Sequence, residues 1–344
     1  MENVTRVGVD LSKNVFHFHG VNHAGRKVFR KRVYRADMER ELRQLPRNCE
    51  VVMEASGSSH YWARKVEELG LKAKQIPAQR VKAFVSSQKN DFNDAEAICE
   101  AADRPNMRFV PTKSVKQQEL QALHRIRQRL IGNRTALINQ IRGLLSEHGI
   151  VLPRGVRVLR KELLSKISVY QEQLSIEFRD VLIQLHSELL RLDEGIKSYE
   201  CRLERFSKLN PVAKRLLTVP GIGLLTATAL VSACGDTRAF RNGRHFAAWL
   251  GLVPKQVTTG GKPKLLGITK RGDVYLRTLL IHGARAVVQR HKNKDDKLNL
   301  WVKKLFERKG PNLTAVALAN KNARIAWRLM TFDEVFCPQL PSAV

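Results

Sequence analysis

Aromatic side chains are scarce in this 344-residue chain, at 6% of the sequence, and acidic residues number 32 against 61 Lys and Arg. The first shortage argues against an aromatic-cored β-sandwich and for helix-rich packing built from Leu, Ala and Arg stems. The second leaves a formal charge of +29. That surplus excludes an ordinary metabolic enzyme as the default and points to a polyanionic partner, because neutralised phosphates release counterions on binding. The five cysteines are scattered without a CxxC pair, so neither a disulfide framework nor a zinc knuckle is expected. No continuous membrane-spanning helix of roughly 18 apolar residues is expected. The first residues are charged and unlike a secretory leader, so the expectation is a cytoplasmic, nucleoid-associated protein with no membrane partner.

What is present is enough apolar material, 43% of residues, to fill more than one core. The length exceeds the roughly 250–300 residues at which cores usually divide. From residue 4 to about 99 the pattern is mixed α/β. Residues 5–11, 15–21 and 27–34 alternate as three strands, 49–53 is a short apolar strand running into Glu54, and 58–68 reads as a helix carrying Tyr61, Trp62 and Val66. A fifth strand is expected over 71–76. Three strands, a helical crossover and further strands is the order expected of a ribonuclease H-like domain.

Beyond Pro111 the period lengthens. Leu and Ile recur at three and four over 115–148 and 159–209, broken at Pro153-Arg154-Gly155, which predicts an antiparallel pair of long helices. Between 113 and 162 there are eleven basic residues against three acidic, consistent either with a coiled-coil spacer bearing a solvated face or with a nucleic-acid-binding arm. The most positive region, 238–309, has eighteen basic residues against four acidic. The expected division is therefore 1–112, an α/β catalytic domain; 113–210, a helical spacer; and 211–344, an α-helical domain.

Four acidic residues stand out. Asp10 ends the first predicted strand and Glu54 the fourth, so in a ribonuclease H-like sheet both would open on one edge; Asp91 and Asp94 are three apart and would share a face of a helix running through 95–102. Converging carboxylates repel unless a cation intervenes, and hard oxygen donors favour Mg²⁺, or Mn²⁺, held jointly with phosphate. Taken singly, an acidic residue at a strand end or helix cap is more often structural. Val219-Pro220-Gly221-Ile222-Gly223 before an apolar run has helix-hairpin-helix spacing, whose backbone amides meet a phosphate, or is a plain turn between core helices. From Pro254 to Gly272 a Gly- and Lys-rich loop is expected. There Thr258 and Thr259 precede Gly260-Gly261 and are ringed by Lys255, Lys262, Lys270, Arg271 and Arg277. That composition offers a nucleophile or a phosphate clamp, and no Walker A spacing is present.

Taken together, the four carboxylates, the Pro-Gly-Ile-Gly turn and the run from Ala247-Ala248-Trp249-Leu250-Gly251 through Gly260-Gly261-Lys262 to Gly267-Ile268-Thr269-Lys270-Arg271-Gly272-Asp273 resemble the DEDD insertion-sequence transposases over nearly the whole chain. The resemblance implies a recombinase directed by a noncoding guide RNA, acting on target and donor DNA as a homo-oligomer, dimer or tetramer. Asp10, Glu54, Asp91 and Asp94 match that family's metal-binding tetrad. Its nucleophile is a serine before the paired glycines, where this chain has Thr258 and Thr259. A threonine hydroxyl has the same chemistry with a β-methyl that restricts its approach. Two other readings stay open: a Mg²⁺-dependent, structure-specific nuclease of the Holliday-junction type that uses water, and a DNA- or RNA-bridging scaffold without turnover.

Overall fold

The computed structural model describes residues 3–85, 90–290 and 296–337. The chain divides into two compact units, Met1–Val115 with Cys234–Ala239, and Lys116–Ala233 with Phe240–Val344. The boundary expected at 112 lies close to the first division; the one expected at 210 falls inside the second unit.

In the first unit, β1 (Arg6–Leu11), β2 (Val15–Val21) and β3 (Lys27–Tyr34) form an antiparallel meander. Helix α1 (Met38–Arg43), β4 (Glu50–Glu54), α2 (Ser59–Glu68), β5 (Lys72–Ile76), α3 (Ala78–Val81) and α4 (Asp91–Ala102) follow. Sheet order is β3-β2-β1-β4-β5, with β4 parallel to both β1 and β5. This mixed α/β arrangement is compatible with a ribonuclease H-like fold, and the five expected strands are present.

Alternation along the strands decides which residues meet which helix. Val7, Val9, Phe16, Phe18, Val51 and Met53 share a core with Met38, Leu42 and Trp62 from α1 and α2. The residues between them face the opposite side, where Val52 and Ile76 pack against Ala97, Ile98 and Ala101 of α4. That second layer is thin because α4 contributes mostly alanine to it, so helix and sheet approach closely. At Gly8 the approach is so close that a Cβ would meet the Ala95 carbonyl oxygen at 2.2 Å.

The second unit opens with α5 (Val115–Glu147), α6 (Val156–Val169) and α7 (Ile176–Leu209). Arg127 pairs with Glu200, and Arg134 with Asp193. The partner number falls by seven as the first rises by seven, which is the register of antiparallel helices. Leu137, Ile141 and Leu145 pack with Leu159, Leu163, Leu182 and Leu189. One expectation is corrected here: 159–209 is two helices. Residues 170–174 turn, and Ser175 restarts the chain as an N-cap, its hydroxyl accepting from Phe178 N at 3.2 Å.

Helices α8 (Pro211–Leu217), α9 (Leu224–Ala233) and α10 (Gly243–Trp249) precede strands β6 (Pro254–Thr259) and β7 (Lys262–Ile268), then α11 (Val274–Gln289) and α12 (Lys297–Thr331). Helix α12 is interrupted at Gly310, with φ 73°, immediately before Pro311. A second correction concerns 254–272, expected as a loop. Most of it is an antiparallel hairpin, turned at Gly260-Gly261 with φ of 57° and 75°, as a two-residue turn of left-handed residues requires. Among the described residues, no helix is long and apolar enough to cross a membrane.

Candidate active site

Asp10 lies near the end of β1 and Glu54 closes β4. By the alternation of each strand both belong to the sheet face that α4 covers. Asn90 caps α4, its side chain accepting from Phe92 N at 3.0 Å, which places Asp91 and Asp94 in the first turn. Carboxylates are favoured there by the helix dipole and by unpaired backbone N–H groups. The result is that carboxylate oxygens of Asp10, Asp91 and Asp94 all lie within 4.8 Å of one another. Glu54 stands next to them: burial and then the charge of Asp94 push its carboxyl above the usual range. Close, like-charged, hard oxygen donors of this kind suit a divalent cation of the Mg²⁺ class.

Two residues that the sequence reading did not single out adjoin this cluster. His17 is the cross-strand partner of Asp10 and is 8% exposed. Its ring packs edge-on to Phe92 at 4.6 Å between centroids, and Nδ1 lies 3.6 Å from Asp91 Oδ2. Among the described residues that nitrogen has no hydrogen-bond partner. Arg32 is in turn the cross-strand partner of His17. The signal that could have found them was the alternation of β2: Phe16 and Phe18 claim one face, so His17 is forced onto the face of Asp10.

The threonines are on the hairpin of the second unit. Thr258 is opposite Pro263, and Thr259 is opposite Lys262. Being adjacent on a strand, they point to opposite faces of the ribbon. Gln256 Nε2 donates to Thr258 Oγ1 at 3.2 Å, whereas Thr259 shares its face with Lys262 and Lys264. Every residue from Pro254 to Thr259 is exposed. Lys255, Lys262, Lys270 and Arg271 are exposed too.

Arg277 does not join them. It is buried at 7% exposure and its Nη1 donates to the Leu250 carbonyl at 3.2 Å, tying α11 to the end of α10. The turn at Gly221 is likewise packed: its carbonyl oxygen would be 1.9 Å from a Cβ at Gly283, and Asn322 Nδ2 donates to the Pro220 carbonyl at 2.8 Å. Gly223, by contrast, is exposed just before α9.

A deeper polar network lies behind this region. Thr228 Oγ1 donates to the Leu224 carbonyl at 2.7 Å and so accepts from His124 Nε2 at 3.0 Å. That leaves His124 Nδ1 to accept from the Tyr275 hydroxyl, also at 3.0 Å. Burial, and then the charge of Arg127, push His124 down to about 4.

Residues 213–299 match the family model of the IS116/IS110/IS902 transposases, and residues 7–150 match the DEDD transposase model of the IS110 type. The chain is similar to a probable family 20 transposase of Pseudomonas aeruginosa, 47% identical across 98% of this chain and 99% of the relative. It is also similar to the transposase for insertion sequence element IS1111A of Coxiella burnetii, 46% identical over 98% and 92% of the two chains. The transposase for insertion sequence element IS1328 of Yersinia enterocolitica is 42% identical over 98% and 99%.

Proposed function

The chain belongs to the IS116/IS110/IS902 transposase family, and on that premise we propose that it is an RNA-guided DNA recombinase of an insertion sequence. The observation that carries this reading is the meeting of Asp10, Asp91 and Asp94, with Glu54 beside them. The donor set fits Mg²⁺, with Mn²⁺ as the alternative, and a bound ion would offset negative charge on the phosphate oxygens. The hydroxyl oxygen of Thr258 or Thr259 bonds to phosphorus and the bond to one ester oxygen breaks. The hydroxyl proton ends on the departing oxygen, and the DNA is left esterified to the protein.

Exchange of two strands calls for more than one copy, hence a dimer or tetramer holding a noncoding guide RNA with target and donor DNA. Lys255, Lys262, Lys270 and Arg271 meet phosphates, and the Gly221 to Gly223 turn acts as a helix-hairpin-helix whose amides at the start of α9 meet another. In this reading 1–112 is the ribonuclease H-like domain that cuts, 113–210 a coiled-coil spacer, and 211–344 the domain that brings the nucleophile.

The threonine pair favours one rival, a nuclease using water, because a β-methyl hinders in-line attack. The full-length chain is incubated with its copurifying RNA, Mg²⁺ and a DNA nicked beside the cleavage point, then denatured. DNA retained on the protein supports the recombinase. Cleavage that needs the four carboxylates but leaves no adduct establishes the nuclease.

A further inference from the structure

A cleft of about 500 Å³ opens beside the carboxylates, lined by Val15, His17, Arg32, Asn90, Asp91 and Phe92. Its floor follows from strand register. Arg32, His17 and Asp10 are successive cross-strand partners on β3, β2 and β1, so all three stand on one sheet face in a line that ends at the acidic cluster. With strands about 4.8 Å apart, Arg32 begins about 10 Å from Asp10. That is the length of about three stacked nucleotides of one strand, or fewer when extended.

The charges along β3 are not alike. Arg30 is paired with Glu96, and Lys31 with Glu41. Arg32 is exposed and, among the described residues, forms no ion pair; its guanidinium lies over the Tyr34 ring, 5.4 Å from the centroid. Tyr34 is itself 56% exposed. An exposed guanidinium lying over the exposed Tyr34 ring, with half-buried Phe92 lining the same cleft, has the composition of a single-strand platform, in which bases stack and a cation meets the backbone. The cleft is too small for a duplex and matches one or two nucleotides.

We propose that this cleft is a subsite for single-stranded DNA flanking the phosphate that is cut, with Arg32 on a backbone phosphate and Phe92 or Tyr34 against a base. DNA is the occupant because the cleft runs directly into the carboxylates that face the cut phosphate. The inference rests on reading those carboxylates as the cutting site, and its test separates the two.

Full-length protein carrying Asp10→Asn is mixed with DNA strands bearing 5-iodouracil at successive positions, irradiated, digested and mapped by mass spectrometry. Cross-links to Tyr34 or Phe92 are expected. Arg32→Ala should lower their yield roughly ten-fold at fixed DNA concentration. It should also make the slope of log affinity against log salt shallower by about 0.7, while Arg32→Lys keeps the slope. Phe92→Leu retains an apolar contact for His17 and should still lower the yield, which guards against a folding defect in Phe92→Ala. Cross-links confined to other peptides, cross-links here from RNA alone, or a yield and slope indifferent to Arg32→Ala would each overturn the subsite. If strand transfer by the unmodified chain proves independent of the carboxylates while these cross-links stand, the cutting-site reading fails and the nucleotide subsite survives.

Discussion

Gly8 of β1 lies directly against Ala95 of α4, with room for a hydrogen and none for a methyl group: a Cβ there would stand 2.2 Å from the Ala95 carbonyl oxygen and 3.0 Å from Cys99 N. Both neighbours are backbone, so neither can swing aside. The contact sets the height of α4 above the sheet and hence the distance of Asp91 and Asp94 from Asp10.

Gly8→Ala should therefore damage the site without removing a ligand. We expect a loss of about 1–3 kcal/mol in stability from overpacking and a Mg²⁺ requirement for activity raised several-fold. Denaturant unfolding and a metal titration of strand transfer measure the two. Gly132→Ala on α5, where a Cβ meets nothing within 4 Å, should be neutral or stabilise by about 0.5–1 kcal/mol.

Glu54 is held above its ordinary range by burial and then by Asp94, so its ionised form is disfavoured in the folded chain. The sign follows from linkage: this group's contribution is most favourable in acid and is lost as pH rises through its folded value. Without divalent ions, Glu54→Gln should raise Tm relative to the unmodified protein, by a margin that grows from pH 4 to pH 7. Mg²⁺ should stabilise the unmodified chain more than the variant. Alanine at Asp10, Glu54, Asp91 or Asp94 should abolish strand transfer and leave RNA binding within a few-fold.

The opposite orientation of Thr258 and Thr259 makes the nucleophile test decisive. Only one of the two alanine variants should lose the covalent DNA adduct. Serine at that same position should accelerate its formation, since the β-methyl is gone, and serine at its neighbour should change little. Gel retention of labelled DNA after denaturation reads the outcome.

His124 is neutral in the folded protein, donating from Nε2 and accepting at Nδ1, and lies at about 4 against an ordinary 6.5. A depressed histidine gives stability that is present above its unfolded value and lost as pH falls through the folded one. Between pH 6.5 and 4 the unfolding free energy should drop by something on the order of 2–3 kcal/mol from this residue. His124→Gln should flatten that part of the profile in urea titrations at a series of pH values.

Nucleic-acid affinity should fall steeply with salt. With a surplus of +29, a slope corresponding to roughly six or more released counterions is expected. Filter binding at four or five salt concentrations measures it, and a flat line would contradict a phosphate-dominated interface.

The first strands of this unit were legible because large apolar residues recur at every second position: Val7 and Val9, or Phe16 and Phe18, alternate with residues of other character. The same logic placed Asp10 and Glu54 at strand ends, and the three-residue spacing placed Asp91 with Asp94. The hairpin of 254–268 was illegible by that criterion because its residues are exposed on both faces; the paired glycines were its one local sign, and they suit a loop equally well. The break after Val169 carries no Pro or Gly, and its one local sign was Ser175 as a cap. Arg277 looked like one more surface cation, since nothing nearby in sequence says that the Leu250 carbonyl awaits it. His17 became visible only once register set it opposite Asp10.

That unburied hairpin has a consequence for how variants are judged. A two-stranded ribbon whose residues are almost all exposed contributes almost no cooperativity to the body beneath it. Its amides should exchange with solvent deuterium long before those of α9 or α11, and most replacements between 254 and 268 should be silent in a melting curve. A screen that ranks substitutions by thermal stability would pass nearly all of them, including those that disable the hydroxyls. For this stretch, function and foldedness are separate readouts and need separate assays.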